Sequence, residues 1–148
     1  MDGMEALLAN RVLWAALMGW FVAQVFKVII TFITYRKWDF SRMFGSGGMP
    51  SSHSSFICAL ATSVGMSRGF QSVEFAIAVA LALIVMYDAA GVRRSAGKQA
   101  AVINRIIQDM MKRGSKLTQV HLKELIGHTP FEVIVGALLG VLIGILVI

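Results

Sequence analysis

The sequence is poor in what soluble domains and disulfide scaffolds depend on: its 148 residues include one cysteine, two prolines and a charged fraction of only 15%. A single cysteine excludes an intrachain disulfide and a thiolate metal cluster, and Cys58 lies in an apolar stretch where it reads as a small buried side chain. So few charges cannot cover the surface of a water-soluble domain. Acidic residues are the scarcest class: 8 Asp and Glu stand against 14 Lys and Arg, a formal net charge of +6. Such a balance can mean nucleic acid, but the basic residues are not interleaved with aromatic platforms, and no nucleic-acid partner is expected. No tandem repeat or low-complexity segment is present, so the chain reads as one domain over residues 1–148.

What the sequence has in abundance is apolar. The hydrophobic fraction is 57% and the mean hydropathy +0.72, which predicts an all-α, polytopic membrane bundle. Four spans are expected, over residues 12–34, 50–66, 73–91 and 129–148. The first is longer than the apolar core of a secretory signal, and the start Met1-Asp2-Gly3-Met4-Glu5 is acidic where a signal is basic. Gln24, Lys27, Thr31 and Thr34 recur at helical spacing along one of its faces. The second span is short for a crossing and is expected to be sheltered by its neighbours. Pro50 opens it, in the first turn where proline forfeits no hydrogen bond. In the last span Gly136, Gly140 and Gly144 form a small-residue stripe, a packing feature and a route to homo-oligomers.

Residues 92–127 differ in kind. Ala100, Ile103, Ile106, Ile107, Met110 and Met111 recur at helical spacing opposite Arg105, Gln108, Asp109, Lys112 and Arg113. That pattern predicts a basic amphipathic helix in the headgroup layer, with a soluble helix packed on a partner as the alternative. The loops 35–52 and 92–127 hold Arg36, Lys37, Arg42, Arg93, Arg94, Lys98, Arg105, Lys112, Arg113, Lys116 and Lys123, which marks their side as cytoplasmic. The same cations can also serve an anion site.

Ionisable residues inside membrane spans are costly and point to function. Here Lys27, Pro50-Ser51-Ser52-His53, Asp88, Arg93 and Arg94, and His128 with Glu132 all fall toward the basic side. In Gly47-Gly48-Met49-Pro50-Ser51-Ser52-His53 the glycines let backbone N–H groups approach an anion, the serines add hydroxyl donors, and the helix start adds its positive dipole end. His53 stands beside that cradle as a proton donor. The plainer reading is an ordinary N-cap with a surface histidine. His128 and Glu132 are four apart, so on one helix face the carboxylate can orient the imidazole and leave its other nitrogen free as nucleophile. A helix-start ion pair is the plainer reading there. Asp88 is read as balancing Lys27 or an arginine; pairing it with Glu132 on a metal is weaker, because two carboxylates make a poor cage.

Pro50-Ser51-Ser52-His53 resembles the Pro-Ser-Gly-His motif of the type 2 phosphatidic acid phosphatase and vanadium-dependent haloperoxidase superfamily. His128-Thr129-Pro130-Phe131-Glu132-Val133 is similar to its closing His-Tyr-Pro-Ser-Asp-Val helix. The chain as a whole, with Asp88-Ala89-Ala90-Gly91-Val92-Arg93-Arg94, resembles the small divergent branch found in bacteria and plastids. The resemblance implies a membrane phosphatase, in a bacterial inner or plasma membrane, that needs no metal or cofactor. By that implication His128 attacks phosphorus, Glu132 steadies the imidazolium and His53 protonates the leaving alcohol. Ser51, Gly47, Gly48, Lys27 and one or both of Arg93 and Arg94 neutralise the phosphoryl oxygens, and the partners are membrane lipids, one of them the phosphorylated substrate.

The departures from the family pattern are specific. Ser52 stands for glycine and Glu132 for aspartate. Thr34 and Leu122 occupy positions where the family has arginine, the second of which Arg93 or Arg94 is inferred to replace. Those losses keep a second reading open, a non-catalytic protein that retains the pocket for lipid phosphate. A transporter is a third, disfavoured by four spans without an inverted repeat. A haloperoxidase lacks its large soluble scaffold here.

Overall fold

The computed structural model describes residues 2–43, 47–112, 122 and 127–148. Among them the secondary structure is helical: α1 (Gly3–Leu8), α2 (Arg11–Tyr35), a 3-10 turn (Phe40–Met43), α3 (Ser52–Arg68), α4 (Val73–Ala90), α5 (Val92–Lys112) and α6 (Pro130–Val147). Helices α2, α3, α4 and α6 each begin at a polar cap. Asn10, Ser51, Ser72 and Thr129 have extended backbones, and their side chains accept from N–H groups three residues on. The short α1 and the 3-10 turn were not anticipated from the sequence.

Helix α3 is the hub, with α2, α4 and α6 packed around it. Contacts fix the directions. Gly136 meets the Ser51 backbone, Gly140 that of Ser55 and Gly144 that of Ala59, so α6 runs parallel to α3. Gly19 packs on Ser55 while Lys27 reaches Ser52, so α2 is antiparallel to α3. Gly65 packs on Phe75 while Cys58 meets Met86, so α4 is antiparallel as well. One end of the bundle therefore gathers the C-terminal half of α2, the start of α3, the end of α4 and the start of α6.

The distribution of side chains is that of a protein in lipid. Ala15, Ala16, Ala23, Ser54, Ser55, Ser63 and the α6 glycines are buried. Large apolar residues such as Ile84, Leu138 and Leu146 face outward. Small interiors allow close helix approach where lipid supplies no hydrophobic drive to associate. A Cβ on Gly140 would strike the Ser55 carbonyl, so the glycine stripe is used inside the chain against α3. Gly136, Gly140 and Gly144 are buried in that seam.

Among the described residues three stretches are long and apolar enough to cross a membrane: Arg11–Tyr35, one within Val73–Lys112, and Pro130–Val147. The fourth expected span, α3, has 17 residues and carries His53, four further serines and Thr62 beyond its first residue. Its neighbours shield it from lipid, which is why it need not be apolar. The amphipathic insertion is helical to Lys112, beyond a break at Gly91. Its other residues, apart from Leu122 and Gly127, lie outside the described set. Along α5 the apolar Ile103, Ile106 and Met110 are exposed while Gly97, Ala100 and Asn104 are buried.

Candidate active site

His53 sits in the first turn of α3, and that turn is tied down on two sides. Ser51 caps it, accepting from Ser54 N at 3.3 Å and Ser54 Oγ at 3.0 Å, while its own N–H donates to the Glu132 carbonyl at 3.0 Å. Ser51 is thus first a cap, although both side-chain bonds use its lone pairs and leave its hydroxyl proton to donate. Ser52 accepts from the Lys27 ammonium at 3.1 Å, fully inside the bundle.

His128 is positioned differently from the sequence expectation. It does not share a helical face with Glu132, because α6 begins only at Pro130 with Thr129 as its cap. The two meet through a capping box. Glu132 Oε2 accepts from Thr129 N at 2.8 Å and stands 3.4 Å from His128 Nδ1, an ion-pair contact longer than a formed hydrogen bond. The backbone N–H of His128 donates to the Ala89 carbonyl at the end of α4, at 3.0 Å. Gly127 has a φ of +118°, and a Cβ there would lie 2.5 Å from Arg94 N. The nucleophile candidate is therefore seated on the corner between α4 and α5. Its side chain is 2% exposed, and neither ring nitrogen has a hydrogen-bond partner among the described residues.

The two imidazoles face each other edge to face, with ring centroids 6.1 Å apart. The charge of Lys27 reaches both, and His53 also feels Arg93 and Asp88. Burial, with the nearby Lys27 ammonium and His53, pushes the His128 pKa below its ordinary value against the opposing pull of Glu132. A neutral imidazole, the nucleophilic form, is favoured.

The remaining candidates divide. Asp88 takes the arginine option: Arg93 Nε donates to its Oδ2 at 2.6 Å, both half-exposed beside His53. Arg94 contributes its backbone to the seat of Gly127, and its side chain is exposed. Gly47 and Gly48 are glycine for their positive φ values of 114° and 82°; Gly48 is exposed with open space where a Cβ would stand, so no close approach explains it. Arg42 pairs with Asp39 at 3.1 Å, and Arg36 caps α2 in the left-handed region.

Sequence reasoning missed Asn104. Its amide donates to the Leu122 carbonyl at 2.8 Å and accepts from Leu122 N at 2.9 Å, clasping the chain six residues before the nucleophile candidate. The signal was a polar residue on the stripe shared with Ala100 and Ile107. Leu122, which stands where the family has arginine, thus serves through its backbone.

These features define a polytopic helical membrane protein with a pair of histidines, one buried and one half-buried, flanked by cations at one end of its bundle. The chain belongs to the Divergent PAP2 family, whose model matches residues 8–143. It is 45% identical over 147 residues to "Uncharacterized membrane protein YuiD" of Bacillus subtilis (strain 168), covering 93% of each chain. No solved structure matches it.

Proposed function

We propose that this chain is a membrane phosphatase that hydrolyses a lipid phosphate monoester or pyrophosphate through a phosphohistidine. The observation that carries the reading is the pairing of half-buried His53 with buried His128, 6.1 Å apart and flanked by Lys27. With each reacting nitrogen roughly 3 Å from the atom it serves, that separation leaves room for one phosphoryl group between them. On closing from 3.4 Å to hydrogen-bond distance, Glu132 holds the proton on His128 Nδ1, so the lone pair on Nε2 attacks phosphorus. The N–P bond forms as the P–O bond to the lipid breaks, and His53 delivers a proton to the departing oxygen. Water then attacks phosphorus, His53 takes its proton, the N–P bond breaks, and inorganic phosphate leaves with His128 restored.

Lys27 and Arg93 counter the charge on the phosphoryl oxygens, Arg93 after exchanging Asp88 for the substrate. Ser51, Ser52, Gly47, Gly48 and Arg94 stand near enough in sequence to assist. Each well-placed donor contributes about 3 kcal/mol to such a barrier. The site faces the cytoplasm of a bacterial inner membrane in this reading, supported by the cations on that side.

Purified protein offered phosphatidate, phosphatidylglycerophosphate and polyprenyl pyrophosphate should release phosphate from at least one, and His128→Ala should abolish the release. Undiminished release by the variant contradicts the mechanism. A non-catalytic pocket is favoured by one observation, the commitment of Arg93 to Asp88; tight vanadate binding without turnover on any substrate selects it.

A further inference from the structure

A cavity of about 400 Å³ opens between α4 and α6, floored by α3. Its walls are almost wholly apolar: Cys58 and Thr62 on α3, Val79 and Met86 on α4, Val141 and Ile145 on α6. It exists because α4 and α6 both pack on α3 but touch each other little. Leu83 and Ile145, on its rim, are 60% and 50% exposed, so the slot opens sideways to the surroundings of the bundle.

Its two ends differ. The α4 side of the slot follows Phe75, Val79, Ala82 and Met86, and one turn further, about 4.5 Å of rise, comes Ala89, whose carbonyl holds the His128 N–H. The Cys58 and Met86 end of the slot is therefore the one nearer the histidine pair. At the other end Phe70 and Phe75 meet edge to face, their centroids 5.2 Å apart, with Phe70 packed against Gly65. From Met86 to Phe75 the helix rises roughly 16 Å, about half a hydrocarbon core.

We propose that this slot binds one hydrocarbon tail of the phosphorylated lipid, with the phosphate at the histidine pair and the aromatic pair as a chain-length stop. The inference rests on the phosphatase reading for its headgroup. The occupant follows from three features: the slot opens toward lipid, its walls offer almost no polar surface to hold a headgroup or peptide, and its head lies at the end nearer the anion site. Catalysis at this site therefore selects for tail as well as phosphate.

Two measurements test it. The first compares phosphate release from a long-chain lipid phosphate and its short-chain analogue in wild type and Val79→Phe, which blocks the slot midway. The ratio of long-chain to short-chain turnover should fall at least about tenfold. The second uses Cys58, the chain's single cysteine and a wall of the slot. A long-chain alkyl phosphonate should slow its alkylation by a membrane-permeant maleimide severalfold in detergent, and a short-chain phosphonate should not. Turnover with an unchanged ratio and an unprotected Cys58 overturns the slot and leaves the phosphatase standing. Absence of turnover on every substrate removes the phosphatase reading, and Cys58 protection then still decides whether the slot holds a tail. If Val79→Phe fails to fold, the alkylation result on the wild-type protein decides alone.

Discussion

The two histidines stand 6.1 Å apart and are held by opposite means. His53 belongs to the first turn of α3, the most enclosed helix, and moves only if that helix moves. His128 lies outside any helix. It is fixed by a backbone hydrogen bond to α4, a capping-box carboxylate on α6 and a glycine wedged against the start of α5. One half of the site is thus placed by helix packing and the other by a junction of three elements. The junction should be the more easily damaged without unfolding the bundle.

The largest expected effect sharpens that comparison at the chemistry. His128→Ala should lower phosphate release beyond detection. His53→Ala should lower it by roughly 10²–10⁴, with a smaller deficit in the first step when the leaving group is a phenolate that needs no proton. Equal losses for both leaving groups would contradict the acid role. Next comes the junction itself. Gly127→Ala should reduce turnover by on the order of 100-fold, the penalty for an ångström-scale misplacement, while circular dichroism stays helical. Gly140→Val should instead unfold the α3–α6 seam, seen as loss of monodisperse protein, because its side chain meets backbone.

A subtler pair separates the two duties of Glu132. Thr129→Ala removes only the cap and should cost about 1 kcal/mol of stability with the pH–rate profile unmoved. Glu132→Gln removes the charge that raises the His128 pKa. Activity is lost at low pH because the nucleophile takes up a proton, so a lower pKa moves this acid limb to lower pH. The variant should be slower, with its limb displaced downward; an upward displacement would contradict the assignment. The smallest effect is expected at Arg42→Ala. Its pair with Asp39 is half-exposed, and it should change stability by less than about 1 kcal/mol with turnover intact.

Much of the site was legible in the sequence because its motifs open apolar helices, and a polar residue there is conspicuous. Pro50-Ser51-Ser52-His53 could be read as a capped helix start, and the alternation of span directions brought it level with Lys27, Asp88 and His128. The His128–Glu132 geometry was misread although the signal was present: Thr129-Pro130-Phe131-Glu132 is a capping box with proline at its first helical position. That box starts the helix at Pro130, two residues too late to include the histidine. The function of the glycine stripe was ambiguous because spacing announces a close helix contact without naming the partner helix. Asn104 and the slot between α4 and α6 were hidden for a different reason, since both depend on which segments tertiary packing leaves side by side.

The central claim is a covalent phosphate on His128, and it is tested most directly by trapping. Purified His53→Ala protein is incubated with a radiolabelled aryl phosphate, whose phenolate departs without a proton, quenched in alkali and mapped by peptide. The account predicts an acid-labile, base-stable label on the peptide containing His128, absent from His128→Ala. No label, or a label on any other residue, would contradict it.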